Sequence, residues 1–184
     1  RRLLTRHEGL AQTIRATQAL LGVDDTTTPE SLFEVAVSDG SHDLLGLKLA
    51  AEILSGGTKT DIENGLKLQK WTDNANRDRL AFENYADVFL TAKRGSGPIE
   101  IRKRLVTKKL AEDYPEVAEI LAREADRLVQ YLLKERAAIT AQATAAMLKF
   151  GNALLAAYQT QKGARALIDY DDLILESGRL LKRK

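Results

Sequence analysis

The sequence predicts an all-α protein, an irregular multi-helix bundle organised around one long helix in the C-terminal half. Three observations carry this prediction. Leu and Ala supply 54 of the 184 residues; both are strong helix formers, whereas strands favour β-branched and aromatic residues. Apolar residues recur at three- and four-residue intervals along most of the chain, which is the period of one helix face. Gly, Pro and capping residues fall between these periodic stretches, where helices start and stop.

The elements follow in order. Leu3, Leu10, Ile14 and Leu20 give helical spacing from about Leu3 to Leu21, with a stop near Gly22. After the turn Asp24–Thr28, Thr28 and Pro29 form an N-cap and first-turn pair, with Thr27 and Glu30 as a capping box, and the helix runs toward Asp39-Gly40. Ser41 is the expected cap of the next helix, which carries Leu44, Leu45, Leu47, Leu49 and Ile53 to Gly56-Gly57. Thr60 with Glu63 reads as a second capping box, opening a helix that ends near Trp71. A further helix is expected from Asn74 to Leu90. Residues Ala92 to Ile101 hold Gly95, Gly97 and Pro98 and read as a loop. A short basic helix is expected from Arg102 to Asp113. Pro115 opens the longest periodic stretch, about 70 Å if continuous to Lys162 at ~1.5 Å per residue, with Gly151 as a candidate bend and Gly163 as the stop. Asp169 then caps a last helix, Tyr170 to Leu181.

The totals exclude several classes. A chain of 184 residues suits one domain or at most two small ones. It has no Cys and therefore no disulfide framework. Charge-free runs such as Ala137–Leu148 fall well short of the ~18 apolar residues of a membrane span, and Arg1-Arg2 with His7-Glu8 do not make a signal peptide. The expectation is a cytoplasmic protein with no membrane contact. The chain begins at Arg1 and stops within a helical pattern at Lys184, so it reads as a segment of a longer protein.

The motifs are few. Gly56-Gly57-Thr58-Lys59-Thr60 looks superficially like a phosphate loop, but Thr58 separates glycine from lysine and a helix rather than a strand precedes it. The plainer reading is a helix stop followed by a helix cap. Gly95-Ser96-Gly97-Pro98 likewise reads as a turn. His7 and His42 are the only histidines and stand in no metal-ligand spacing. Neither a Ser/His/Asp nor a Cys/His arrangement is present, so a stand-alone enzyme is disfavoured. Asp169, Asp171 and Asp172 form the densest acidic cluster; a metal site is one reading, a helix N-terminus with acids capping backbone N–H groups the plainer one. Trp71 and Tyr85 could stack on a base or pack in the core, and core packing is the plainer reading.

The strongest physical signal is basic. Lys93, Arg94, Arg102, Lys103, Arg104, Lys108 and Lys109 are opposed only by Glu100, so this stretch carries +6 and leaves −4 to the rest of a chain whose net charge is +2. Such a run suits phosphate contacts on DNA, or is a solvated charged face. Arg179, Lys182, Arg183 and Lys184 form a second basic group, ordinary near a helix C-terminus.

Three segments together resemble a known family. Ile168-Asp169-Tyr170-Asp171-Asp172-Leu173-Ile174 resembles the Asp-aromatic-Asp-Asp-Leu element that precedes the Walker B strand of UvrD-type helicases. Leu148 to Lys162 resembles the helix leading into it. Val88-Phe89-Leu90-Thr91 with Arg102-Lys103-Arg104-Leu105-Val106-Thr107-Lys108-Lys109-Leu110 is similar to a stretch of AddA helicase-nucleases. The resemblance covers Asn74 to Lys184 well and the first 70 residues only loosely.

The resemblance implies a piece of an ATP-driven, superfamily 1 helicase-nuclease of double-strand-break repair. Residues 1–162 would be its helical accessory domain 1B, and residues 163–184 the return segment leading to a RecA-like motor domain outside this sequence. Walker A would lie upstream of Arg1 and Walker B downstream of Lys184. ATP and Mg2+ would then belong to the parent protein, with no cofactor and no catalytic residue in this segment. The implied partners are DNA phosphates, the rest of the helicase chain and an AddB-like subunit. The seven cations from Lys93 to Lys109 would supply the phosphate contacts, while Asp169, Asp171 and Asp172 would cap and fix the chain's return. The face left by the motor domain would be apolar. The rival function is a helical protein-interaction scaffold with no nucleic-acid role.

Overall fold

The computed structural model describes residues 7–38, 40, 42–75, 77–91, 97–165 and 167–181. Among them the fold is all-α: α1 (His7–Leu20), α2 (Pro29–Val37), α3 (Leu44–Ser55), α4 (Lys59–Asp73), α5 (Arg79–Ala86), α6 (Lys108–Asp113), α7 (Pro115–Ala164) and α8 (Tyr170–Leu181). The described residues contain no strand, only one isolated antiparallel bridge between Leu90 and Ile101. Two compact units divide the chain. One is Leu21–Thr140, holding α2 to α6 and the first part of α7; the other is Arg1–Leu20 with Ala141–Lys184.

The core of the Leu21–Thr140 unit is aromatic. Trp71 of α4 stacks on Tyr85 of α5 with ring centres 4.6 Å apart. Phe82 meets Trp71, Phe33 and Tyr131 edge-on, and Phe89 meets Tyr85 in the same way. Leu47, Leu54, Leu68, Val117, Leu121 and Leu128 close around them, all fully buried. Trp71 and Tyr85 are thus core residues at 1% exposure each, and the alternative of a base-stacking platform is excluded. Helices α3 and α4 approach closely because Gly65 faces α3: a Cβ there would lie 2.9 Å from the Ala51 carbonyl oxygen and 3.2 Å from Leu54 Cβ.

Several helix starts differ from the sequence expectation. The first capping box is Thr28 with Ser31, whose N–H and hydroxyl exchange bonds with the cap. Thr27 instead donates to Asp24 Oδ1 and tightens the preceding turn. Asp43, not Ser41, caps α3 by accepting the Gly46 N–H at 2.8 Å; Ser41 lies outside the described residues. The second box is Thr58 with Asp61, two residues before Thr60 and Glu63. Both pairs fit the same capping pattern, and the earlier one prevails because Asp61 also accepts the Thr107 N–H from a distant segment. Asp78 caps α5, so that helix starts at Arg79 rather than Asn74.

Residues 102–107 are not helical, against the expectation of a helix from Arg102. The chain entering them is paired with another segment: Thr91 N–H donates to Glu100 O at 3.0 Å and Arg102 N–H to Phe89 O at 2.8 Å. Helix α7 runs through Gly163 to Ala164 before turning, so Gly163 is not its stop. The last helix begins as expected: Asp169 accepts the Asp172 N–H at 2.9 Å while Asp172 accepts the Asp169 N–H at 3.3 Å. Lys162, 8% exposed, bonds Asp169 at 2.7 Å and also pairs with Asp172.

Candidate nucleic-acid interface

The basic segment is positioned by three anchors. The first is the pairing with residues 89–91. The second is Arg102 itself, whose Nε donates to the Asp87 carbonyl at 2.8 Å just past α5. The third is apolar: Leu105 and Val106 pack against the core between the two groups of cations. Thr107 follows, its N–H bonded to Asp61 Oδ1 at 3.2 Å, and α6 begins.

Arg102, Lys103, Arg104, Lys108 and Lys109 are all exposed. Thr91, Glu100, Ile101, Arg102, Lys103 and Arg104 line one shallow depression. Lys109 borders a separate groove with Gly56, Gly57, Thr58, Leu110 and Tyr114. Lys108 reaches Glu112 at 3.7 Å with both side chains largely in water, an exposed i,i+4 contact of small energetic weight. Among the described residues, Lys103, Arg104 and Lys109 make no ion pair. Lys93 and Arg94 lie outside the described residues, as does the side chain of Asp171. The arrangement suits a polyanion: cations held on a pinned backbone, in water, without internal counter-charges at Lys103, Arg104 and Lys109.

The Gly56–Thr60 motif is a helix junction. Gly56 ends α3 and the Thr58 side chain caps α4. Gly57 is glycine because Leu110 of α6 seats there: a Cβ would lie 2.6 Å from Leu110 Cδ1 and 2.6 Å from Asp61 Cβ. Beneath it, burial pushes the Asp61 carboxyl up, but the bonds from Thr58 and Thr107 outweigh that and hold it below its usual value. His42 lies beside the core, its ring 6.0 Å from Trp71, and lines a small cavity with Asp43, Arg123 and Arg127. Among the described residues no three His, Asp or Glu side chains converge as a metal-binding group.

Two buried carboxylates were not singled out from the sequence. Glu124 accepts the Tyr85 hydroxyl at 2.5 Å and two of the three guanidinium bonds of Arg127, at 2.6 and 2.8 Å. Glu135 accepts Arg79 at 2.6 Å and the Tyr131 hydroxyl at 2.8 Å. The signal was available: both occupy the apolar row Val117, Leu121, Leu128, Tyr131, Ala138 at alternating four- and three-residue steps. They are not an acid–base pair. Eleven residues of helix set them about 16 Å apart, and each is already matched to an arginine.

These two arginines, together with Arg77, also hold α2. Arg127 donates to the Ala36 carbonyl at 3.1 Å, Arg77 to Val37 at 3.0 Å and Arg79 to Pro29 at 3.4 Å. The carbonyls at both ends of α2 are thereby supplied with donors, including the last-turn groups that a helix cannot satisfy internally.

No protein-family model, curated protein or solved structure matches this chain. Among the described residues, no helix is long and apolar enough to cross a membrane.

Proposed function

We propose that this chain is the DNA-side accessory domain, 1B, of an AddA-like, UvrD-type helicase-nuclease that repairs double-strand breaks in the cytoplasm. The observation that carries the reading is the pinned, exposed run Arg102, Lys103, Arg104, Lys108 and Lys109, within the stretch similar to AddA proteins. Its role is to hold DNA phosphates near the unwinding fork. Such contacts position the nucleic acid without reading its sequence. ATP and Mg2+ are bound by the parent protein's motor domains, and an AddB-like subunit completes the assembly. The exposed apolar side chains of α7 and α8 favour one further reading, a helical protein-interaction scaffold with no nucleic-acid role.

Fluorescence anisotropy with a short fork DNA across a salt series separates the two. The chain is expected to bind weakly, with log K falling against log salt at a slope near −4 for about four to five phosphate contacts. Lys103→Glu, Arg104→Glu and Lys109→Glu together should remove most of that slope. Arg102 stays unaltered because it also braces the Asp87 carbonyl. Absence of binding at low salt, or a slope untouched by the triple reversal, refutes the assignment.

A further inference from the structure

Beyond Thr140, helix α7 carries a second apolar stripe, on the side away from its partly buried face. Ala141 is buried, and Ala145, Leu148, Asn152 and Leu155 are partly so. On the opposite side Ala143, Met147, Phe150, Leu154 and Ala157 are all exposed, Met147 at 75% and Phe150 at 71%. Their steps of four, three, four and three residues are those of a coiled-coil seam.

We infer that this seam pairs antiparallel with the same seam of a second copy of the chain. Two features select a copy of itself as occupant. The first is shape. A two-fold axis between Leu148 and Lys149 sets Met147 against Phe150 of the second copy and Leu154 against its Ala143. Every large side chain then meets its complement, and the two halves are related by symmetry as a closed dimer requires. The second is charge. Positions flanking a coiled-coil seam normally carry the charges that choose a partner. Here they are Thr144, Ala146, Gly151, Ala153 and Tyr158, and the one charge from Ala137 to Gln161, Lys149, lies off the seam. Nothing in the sequence repels an identical helix.

The area is adequate. Met147, Phe150, Leu154 and Tyr158 expose on the order of 500 Å2 per copy, so pairing covers about 1,000 Å2, the lower bound for a specific interface. Tyr170, Leu173 and Ile174 of α8, in the same unit, are exposed as well. The expected affinity is therefore micromolar.

Sedimentation equilibrium of the 184-residue chain from about 1 to 100 µM tests this, a range that brackets a micromolar dissociation constant. The unaltered chain should be a monomer–dimer mixture. Met147→Lys alone and Phe150→Glu alone should each weaken the dimer at least tenfold, with helicity by circular dichroism unchanged. Mixing the two variants should restore it, because the introduced lysine and glutamate then face each other. Ala143→Lys is a second disrupting variant should Met147→Lys lose helicity, and Lys149→Glu, off the seam, should leave the dimer intact. A monomer across the whole range overturns the inference and leaves the stripe to a different partner. Association untouched by the seam variants, or singles weakened without recovery on mixing, also overturns it.

Discussion

Replacing Glu124 by Leu should come close to unfolding the Leu21–Thr140 unit. The carboxylate is 6% exposed and is the counter-charge of Arg127, itself 22% exposed. Removing it leaves the guanidinium with the Ala36 carbonyl as its remaining hydrogen-bond acceptor and strips the Tyr85 hydroxyl of its own. An uncompensated buried charge costs about 3–5 kcal/mol, and an orphaned hydroxyl adds ~1–3 kcal/mol. Partial access of water to Arg127 puts the sum toward the low end, about 4 kcal/mol, against total stabilities of ~5–15 kcal/mol. In urea that is a midpoint lowered by roughly 2 M. Trp71 is the only tryptophan and stacks on Tyr85, so its fluorescence reports this unit directly. The companion variant Tyr85→Phe, Glu124→Leu, Arg127→Met removes all three side chains of the network, leaving only the Ala36 carbonyl without this donor, and should cost less than about 2 kcal/mol. A Glu124→Leu cost under ~1 kcal/mol, or a triple variant as damaged as the single, would refute the claim that the penalty lies in the stranded partners.

Two further outcomes concern the same unit. Gly65→Ala raises helix propensity yet should destabilise by about 1–3 kcal/mol, because its methyl meets the Ala51 carbonyl and α3 must shift; a thermal melt of the variant checks the sign. Asp61 is held below the usual carboxyl value in the fold, so its stabilising contribution is present above the unfolded value near pH 4 and is lost as pH falls through the lower folded value. Asp61→Asn should therefore be less stable at neutral pH and lose less on acidification between about pH 5 and 2 in urea titrations. Asp24, drawn down to about 2 chiefly by the Thr26 and Thr27 hydroxyls, adds the same acid dependence to both proteins and cancels in the comparison.

The basic site was legible as composition, since seven cations against one acid within 17 residues need no coordinates. Its conformation was not. Residues 102–107 have nothing against a helix in their own sequence; the Phe89 carbonyl takes the Arg102 N–H at one end and Asp61 the Thr107 N–H at the other, and both partners are brought near only by the fold. The choice of Thr58 over Thr60 as cap has the same origin, in the bond from Thr107 to Asp61.

Local rules determined what local forces govern. The sequence specified an all-α chain, a helix opened by Pro115, a helix stop and restart within Gly56–Thr60, and an aspartate cap before Tyr170, because helix propensity, periodicity and capping act within a few residues. Tertiary structure decided the rest: that Trp71 and Tyr85 face each other rather than a ligand, that Arg127 and Arg79 are the partners of Glu124 and Glu135, and that Arg102 serves α5 as well as solvent. Those outcomes depend on which distant groups can satisfy a buried charge or an open backbone bond, and a one-dimensional pattern contains no distances.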